Sequence, residues 1–291
     1  MKIAANIALL GLLLGLAAAL CIVISNYRRE RSDYLRTPRQ AISRHPEQTG
    51  IALLREVSFV NEAGTPLAGW YAPSRNRAAV VLVHGTGADR SGVLFETEFL
   101  AQAGFGAFAI DLPGQGASGG STQWGPPERS AIRAAVSWLS QQQEVDGGRI
   151  GGLGLSMGAY VLTQAAVLDP RLRALVLAAS PNDVVEQNWI SSDQWGYLSQ
   201  VGVYLALRMS AQTYDLKPKH VIGRIAPRAV FLIGGENDRL VPPYMARQLF
   251  AAAGEPKEFW IVPAAAHVDF ARAAPLEYSA RVTDFFRREL L

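Results

Sequence analysis

From about Glu56 onward the chain repeats one pattern, and that pattern limits it to a single fold class. Short apolar runs recur as AAVVLVH (78–84), GAFAID (106–111), RIGGLGL (149–155), RALVLAA (173–179), RAVFLIG (228–234) and EFWIV (258–262). Each is too short to stand as a helix and too continuously apolar to have one wet face, as expected of strands buried on both sides. Between them lie segments with helical spacing, notably 127–143, 157–168, 242–253 and 275–290. Buried strands alternating with helices predict an α/β fold: a mostly parallel central sheet with helices on both faces. REVSFV (55–60) and LAGWYAP (67–73), separated by Asn61-Glu62-Ala63-Gly64, predict an antiparallel hairpin at its edge. The stretch 181–224 breaks the rhythm. It is long and rich in aromatics, and reads as a helical lid insertion.

The N-terminus is a separate unit. Every residue from Ile7 to Ile24 is apolar or Gly, and Ile3 to Ala5 extends the run past Asn6. About 20 residues at ~1.5 Å each suffice to cross a bilayer core. Ala17-Ala18-Ala19 has the small-residue character of a signal cleavage site, but the apolar run continues through Ile24 and most positive charge follows it. Residues 1–25 are therefore expected to form an uncleaved anchor that meets the membrane through residues 3–24, followed by a juxtamembrane linker over 26–50 and a catalytic domain over 51–291. Arg28, Arg29, Arg31, Arg36 and Arg39 against Lys2 would put the body on the cytoplasmic side.

Charge and cysteine narrow the chemistry. Residues 1–45 hold seven basic and two acidic residues, a net +5, which leaves a body of 21 basic and 23 acidic residues at −2. A body without a basic stripe argues against nucleic acid as a partner. Cys21, the one cysteine, lies in the apolar leader, so no disulfide, thiolate metal site or cysteine nucleophile is at hand. Neither a metal nor an organic cofactor is expected.

The reactive residues cluster after the runs. Gly154-Leu155-Ser156-Met157-Gly158 fits G-x-S-x-G between a strand and a helix, where a tight turn demands small residues at Gly154 and Gly158. A serine needs a base. Of His45, His84, His220 and His267, only His267 follows the last strand and faces the same sheet edge as Ser156. The orienting acid should come from the preceding loop, GGEND, where Asp238 lies deeper than the reserve, Glu236. The order Ser156, Asp238, His267 is that of one hydrolase fold. His84-Gly85-Thr86-Gly87 after an early strand suits an oxyanion hole built from the amides of Thr86 and Met157, with His84 structural. The Gly-rich turn Asp111–Gly119 lacks the Lys-Ser/Thr of a phosphate-binding loop and reads as a rim.

HGTG (84–87), DLPGQGASGG (111–120), RIGGLGLSMGA (149–159), PRAVFLIGGENDRLVP (227–242) and AAAHVDF (264–270) resemble the α/β-hydrolase superfamily, in order and spacing, over about residues 55–290. Within it the chain is most similar to dienelactone-hydrolase-like, serine-aminopeptidase-like and prolyl-oligopeptidase-like enzymes. The resemblance carries the nucleophile onto Ser156, the acid onto Asp238, the base onto His267 and the oxyanion amides onto Thr86 and Met157. Ser156 stands where true dienelactone hydrolases have cysteine, and there is no room for a propeller domain. The expected activity is hydrolysis of a carboxylic ester or thioester, with peptide cleavage or acyl transfer by the same residues as alternatives. The apolar load of the insertion, including Trp189 and Trp195, either packs over the sheet edge or lines a pocket for a lipid-like substrate.

Overall fold

The structure, a computed structural model, describes residues 2–35, 46–51, 53–191, 197–209 and 216–291. Eight strands form one sheet: β1 (Arg55–Val60), β2 (Pro66–Ala72), β3 (Ala79–Val83), β4 (Gly106–Ile110), β5 (Ile150–Leu155), β6 (Leu172–Ala178), β7 (Ala229–Gly235) and β8 (Lys257–Val262). Their order is β1-β2-β4-β3-β5-β6-β7-β8. β1 and β2 pair antiparallel through the predicted hairpin, β2 joins β4 antiparallel, and every later pairing is parallel. All five residues of β3 and all seven of β7 are buried. Their unbroken Val, Ile, Leu and Phe content is what a strand covered on both faces requires.

The helices are α1 (Lys2–Leu35), α2 (Leu94–Gln102), α3 (Pro126–Leu139), α4 (Met157–Leu168), α5 (Val184–Ser191), α6 (Tyr197–Met209), α7 (Pro218–Val221), α8 (Pro243–Ala252), α9 (Phe270–Ala273) and α10 (Pro275–Leu290). One face of the sheet packs on α3, α4 and α8, the other on α2 and α10. In α10 the buried residues Tyr278, Val282, Phe285, Phe286 and Leu290 follow the spacing of a single apolar stripe.

Two boundaries and one helix differ from the sequence reading. The stretch expected to begin a linker at residue 26 continues α1 through Leu35, because Arg, Glu and Leu in RRERSDYL are good helix formers and no Gly or Pro intervenes. α3 stops at Leu139, short of residue 143, where Ser140 Oγ turns back to donate to the Val136 carbonyl. α2 carries no clear helical stripe in its sequence and was absent from the expected elements.

The topology sets the location of a site. After β3 the chain turns to one side to build β4, then crosses back to build β5 on the other. Open α/β sheets bind ligands beyond the strand carboxyl ends at such a reversal. The loops after β3 and β5 open there.

Candidate active site

β3 and β5 run in register, with Val83 opposite Gly154, so His84-Gly85 and Leu155-Ser156 emerge side by side. Ser156 then turns sharply into α4, with φ 53° and ψ −118°. A non-glycine residue in that region stores strain, which persists only where its surroundings enforce it. Here they do. The Ser156 N–H donates to the Ala178 carbonyl (2.9 Å), and its own carbonyl accepts from Tyr160 N–H (3.0 Å). A Cβ at Gly154 would lie 2.5 Å from the Ala159 nitrogen, and one at Gly158 2.2 Å from the Val83 carbonyl oxygen. No side chain fits at either position.

Ser156, His267 and Asp238 come together across 111 residues of sequence. The Ser156 hydroxyl lies 2.9 Å from His267 Nε2, and His267 Nδ1 lies 2.8 Å from Asp238 Oδ2. An ionised carboxylate only accepts, so Nδ1 carries the ring proton and Nε2 offers its lone pair to the serine. The other Asp238 oxygen, Oδ1, accepts from the backbone N–H groups of Leu240 (2.9 Å) and Val241 (2.8 Å). The acid is buried, while His267 keeps one edge toward the crevice. Glu236 goes elsewhere: its Oε2 accepts from Ala264 N–H at 2.9 Å, bracing the loop that precedes His267.

Thr86 sits at the tip of the turn after β3, closed by Ala88 N–H donating to the Gly85 carbonyl (3.4 Å). Met157 holds the first position of α4, where a backbone N–H has no acceptor within the helix and the helix dipole favours negative charge. A Cβ on Gly85 would lie 3.4 Å from Ser156 Cβ, so the Thr86 turn runs directly beside the serine.

Of the residues that hold this turn, the sequence gives His84 a structural place but does not single out Gln115, Asp111 or Arg90. Gln115 Oε1 accepts from Gly87 N–H (2.9 Å), and its amide nitrogen donates to Thr122 Oγ1 (3.2 Å). His84 donates from Nδ1 to the Gly85 carbonyl (2.8 Å) and accepts Leu112 N–H at Nε2 (3.1 Å). Burial holds its imidazole below the ordinary value, in keeping with a neutral ring that accepts at one nitrogen. Asp111, beneath it, accepts from Arg90 N–H and Ala117 N–H (2.7 Å each) and pairs with the buried Arg90 guanidinium at 3.4 Å. The Asp111–Gly119 turn thus ties the β3 and β4 loops together. Asp111 and Gln115 stand out as polar residues inside a Gly-rich stretch, but nothing local names their partners.

Of the pocket candidates, Trp189 lies in α5 and lines a cavity of about 670 Å³ beneath α5 and α6. Trp195 and His45 lie outside the described residues. Among the described residues no group of three or more His, Cys, Asp or Glu side chains could hold a metal ion.

Residues 23–221 match the model of the X-Pro dipeptidyl-peptidase family, S15. The chain belongs to the S15 family. That makes it a member of the α/β-hydrolase superfamily, and the matched span takes in Ser156 but ends before Asp238 and His267. This S15-family chain is 31% identical over 221 residues to the uncharacterised protein Rv2307c of Mycobacterium tuberculosis H37Rv, across 74% of this chain and 73% of the relative. Its fold resembles the esterase Pf2001 of Pyrococcus furiosus, with a TM-score of 0.74 at 23% identity, covering 87% of this chain and 99% of that one. It also resembles the hypothetical protein PA2218 of Pseudomonas aeruginosa, with a TM-score of 0.68 at 21% identity over 87% and 99% of the two chains.

Proposed function

We propose that this α/β hydrolase is a membrane-anchored serine hydrolase that cleaves a carboxylic ester or thioester through an acyl-enzyme on Ser156. The observation that carries the reading is the unbroken hydrogen-bonded chain from Ser156 Oγ through His267 to the buried Asp238. In the first half-reaction, Ser156 Oγ bonds to the acyl carbon as its proton passes to His267 Nε2. Asp238 steadies the imidazolium through Nδ1–H. The oxyanion lies against the N–H groups of Thr86 and Met157, and collapse expels the alcohol or thiol, which takes the proton from His267. Water then repeats the sequence at the acyl-enzyme and frees the acid.

The anchor reading rests on the stretch Leu10–Arg28 of α1, which is long and apolar enough to cross a membrane. Its packing on α6 supports retention over cleavage: a Cβ at Gly202 would lie 2.8 Å from the Val23 carbonyl oxygen, so the two helices nearly touch. The S15 match favours a second reading, peptide-bond cleavage by the same three residues.

A fluorophosphonate probe tests the core of the proposal. The parent protein should label and Ser156→Ala should not; equal labelling of both would refute it. A panel of p-nitrophenyl esters, a thioester and an X-Pro anilide then separates the two readings. Faster turnover of the anilide than of every ester would transfer the function to peptide cleavage.

A further inference from the structure

The cavity lies within the insertion 181–224, and its floor and roof differ in character. Its floor is the base of the insertion, tied to α8 of the hydrolase body. Asp183, five residues beyond Ala178 of β6, pairs with Lys217 Nζ (2.7 Å) and Lys219 Nζ (3.1 Å). Lys219 also reaches Glu186 (3.2 Å), which accepts from the Tyr244 hydroxyl on α8 (3.1 Å). Asn182 bonds to Gln248 of the same helix. Its roof is α6, which presents Val201, Tyr204 and Leu205. Trp189 meets Tyr197 and Tyr204 edge-on, with ring centroids 6.3 and 5.9 Å apart. About 670 Å³ bounded by aromatic and aliphatic groups on one side and ion pairs on the other is well inside the ~300–1,000 Å³ range of small-molecule sites.

The roof is held by α1. Ala19, Val23, Asn26 and Tyr27, spaced as one stripe of a helix, are the partly covered positions of an otherwise exposed apolar surface. Gly202 is buried against Val23 and Asn26, where a side chain would strike the α1 backbone. Small residues allow this close approach between helices in a membrane. Val23 and Asn26 lie near the end of the stretch Leu10–Arg28, so α6 crosses α1 where the span would leave the hydrocarbon. Aromatic side chains with one apolar and one polar end collect at that depth, and Trp189, Tyr197 and Tyr204 are such residues.

We propose that this cavity binds the hydrocarbon chain of an ester drawn from the bilayer, and that α1 forms part of the site by holding α6 as its roof. The proposal rests on the serine-hydrolase and anchor readings above and names their substrate class, a long-chain membrane ester. Ser156 does not line the cavity, so a short acyl group bonded there would leave it empty. A long chain would extend into it. The chain leaves β6, whose Ala178 carbonyl accepts the Ser156 N–H, and reaches the cavity-lining Asp183 five residues later, so the ester stays at Ser156 and the hydrocarbon enters from that side.

The test uses the full chain in phosphatidylglycerol vesicles. Val201→Trp fills the cavity, and Gly202→Leu pushes α6 off α1. Each should lower the ratio of kcat/KM for p-nitrophenyl palmitate to that for p-nitrophenyl butyrate by about tenfold, the size of effect one or two lost methylene contacts produce. Occupancy is read without catalysis from a diazirine-bearing long-chain ether lipid, which has no bond for Ser156 to cut. Its crosslinks should fall between residues 183 and 205 and disappear in Val201→Trp. Ratios within twofold of the parent for both variants, or crosslinks confined to residues outside that segment, overturn the proposal. Loss of fluorophosphonate labelling in the parent would strike the serine reading alone and leave the crosslinking result standing.

Discussion

Asp238→Asn isolates the acid with little disturbance of the fold, because the carboxylate splits its duties between two oxygens. Oδ1 accepts two backbone N–H groups, from Leu240 and Val241, and Oδ2 accepts from His267 Nδ1. An asparagine can keep its carbonyl oxygen on the two backbone donors, which avoids orphaning buried N–H groups at about 1–3 kcal/mol each. Its NH₂ group then faces His267 Nδ1. Two donors cannot share one bond, so the ring moves its proton to Nε2 and presents a donor to Ser156 where a base is needed. The expected loss in kcat is about 10⁴, roughly 5.5 kcal/mol of transition-state stabilisation, with the melting temperature little changed. Steady-state hydrolysis of a p-nitrophenyl ester and a thermal melt in the same detergent measure both. Glu236→Gln serves as the control, since Glu236 braces Ala264 and does not touch His267. Asp238→Asn within tenfold of the parent, or Glu236→Gln the worse of the two, would refute the assignment.

Two further outcomes follow from the geometry. Ser156→Ala and His267→Ala should each lower kcat by about 10³–10⁶, and the double variant should be scarcely worse than either, because the residues act as one unit; losses that multiply in the ester assay would disprove this. The second concerns stability. Burial pushes the Glu96 carboxyl up to about 7, against 4.5 for an ordinary glutamate, while the Tyr278 hydroxyl donates to it at 3.0 Å. The folded state therefore holds this proton more tightly than the unfolded chain, and stability falls as pH rises from about 4.5 to 7. Glu128, also pushed up to about 7 by burial, acts in the same sense. Glu96→Gln keeps an acceptor for Tyr278 and should flatten the pH 5–8 melting profile while raising the melting temperature at pH 8. An unchanged slope in that variant would count against the buried charge.

How much of this could be read in advance depends on the range over which each signal acts. β3 through β8 were legible because a strand buried on both faces leaves its own mark, a continuous apolar run, whatever lies beside it. The serine turn was legible for a related reason. The steric demand that makes Gly154 and Gly158 necessary arises within a few residues and from one neighbouring strand end, so it is written in five consecutive letters. Asp238 and His267 could be placed because the topology fixes which loops share an edge with Ser156. The choice of Asp238 over Glu236 was harder, since both follow β7 within four residues, and the deciding contacts, the amides of Leu240 and Val241, depend on how the turn closes.

What escaped the sequence depends on pairing across distance. Gln115 gives no local sign that it will hold the turn at Gly87, 28 residues away, and buried Arg90 looks like a surface residue until Asp111 is seen to meet it at 3.4 Å. The crossing of α1 and α6 is the strongest case. Gly202 in a helix reads as a weakness, costing about 1 kcal/mol against alanine, and no nearby residue explains it. Its partners are Val23 and Asn26, in the segment that composition alone marks only as a membrane span or signal sequence. A segment that served only as a tether or a signal would have no need of Gly202. The fit of that glycine to the α1 backbone makes the first helix part of the folded enzyme, and any truncation that removes it also removes the support of α6.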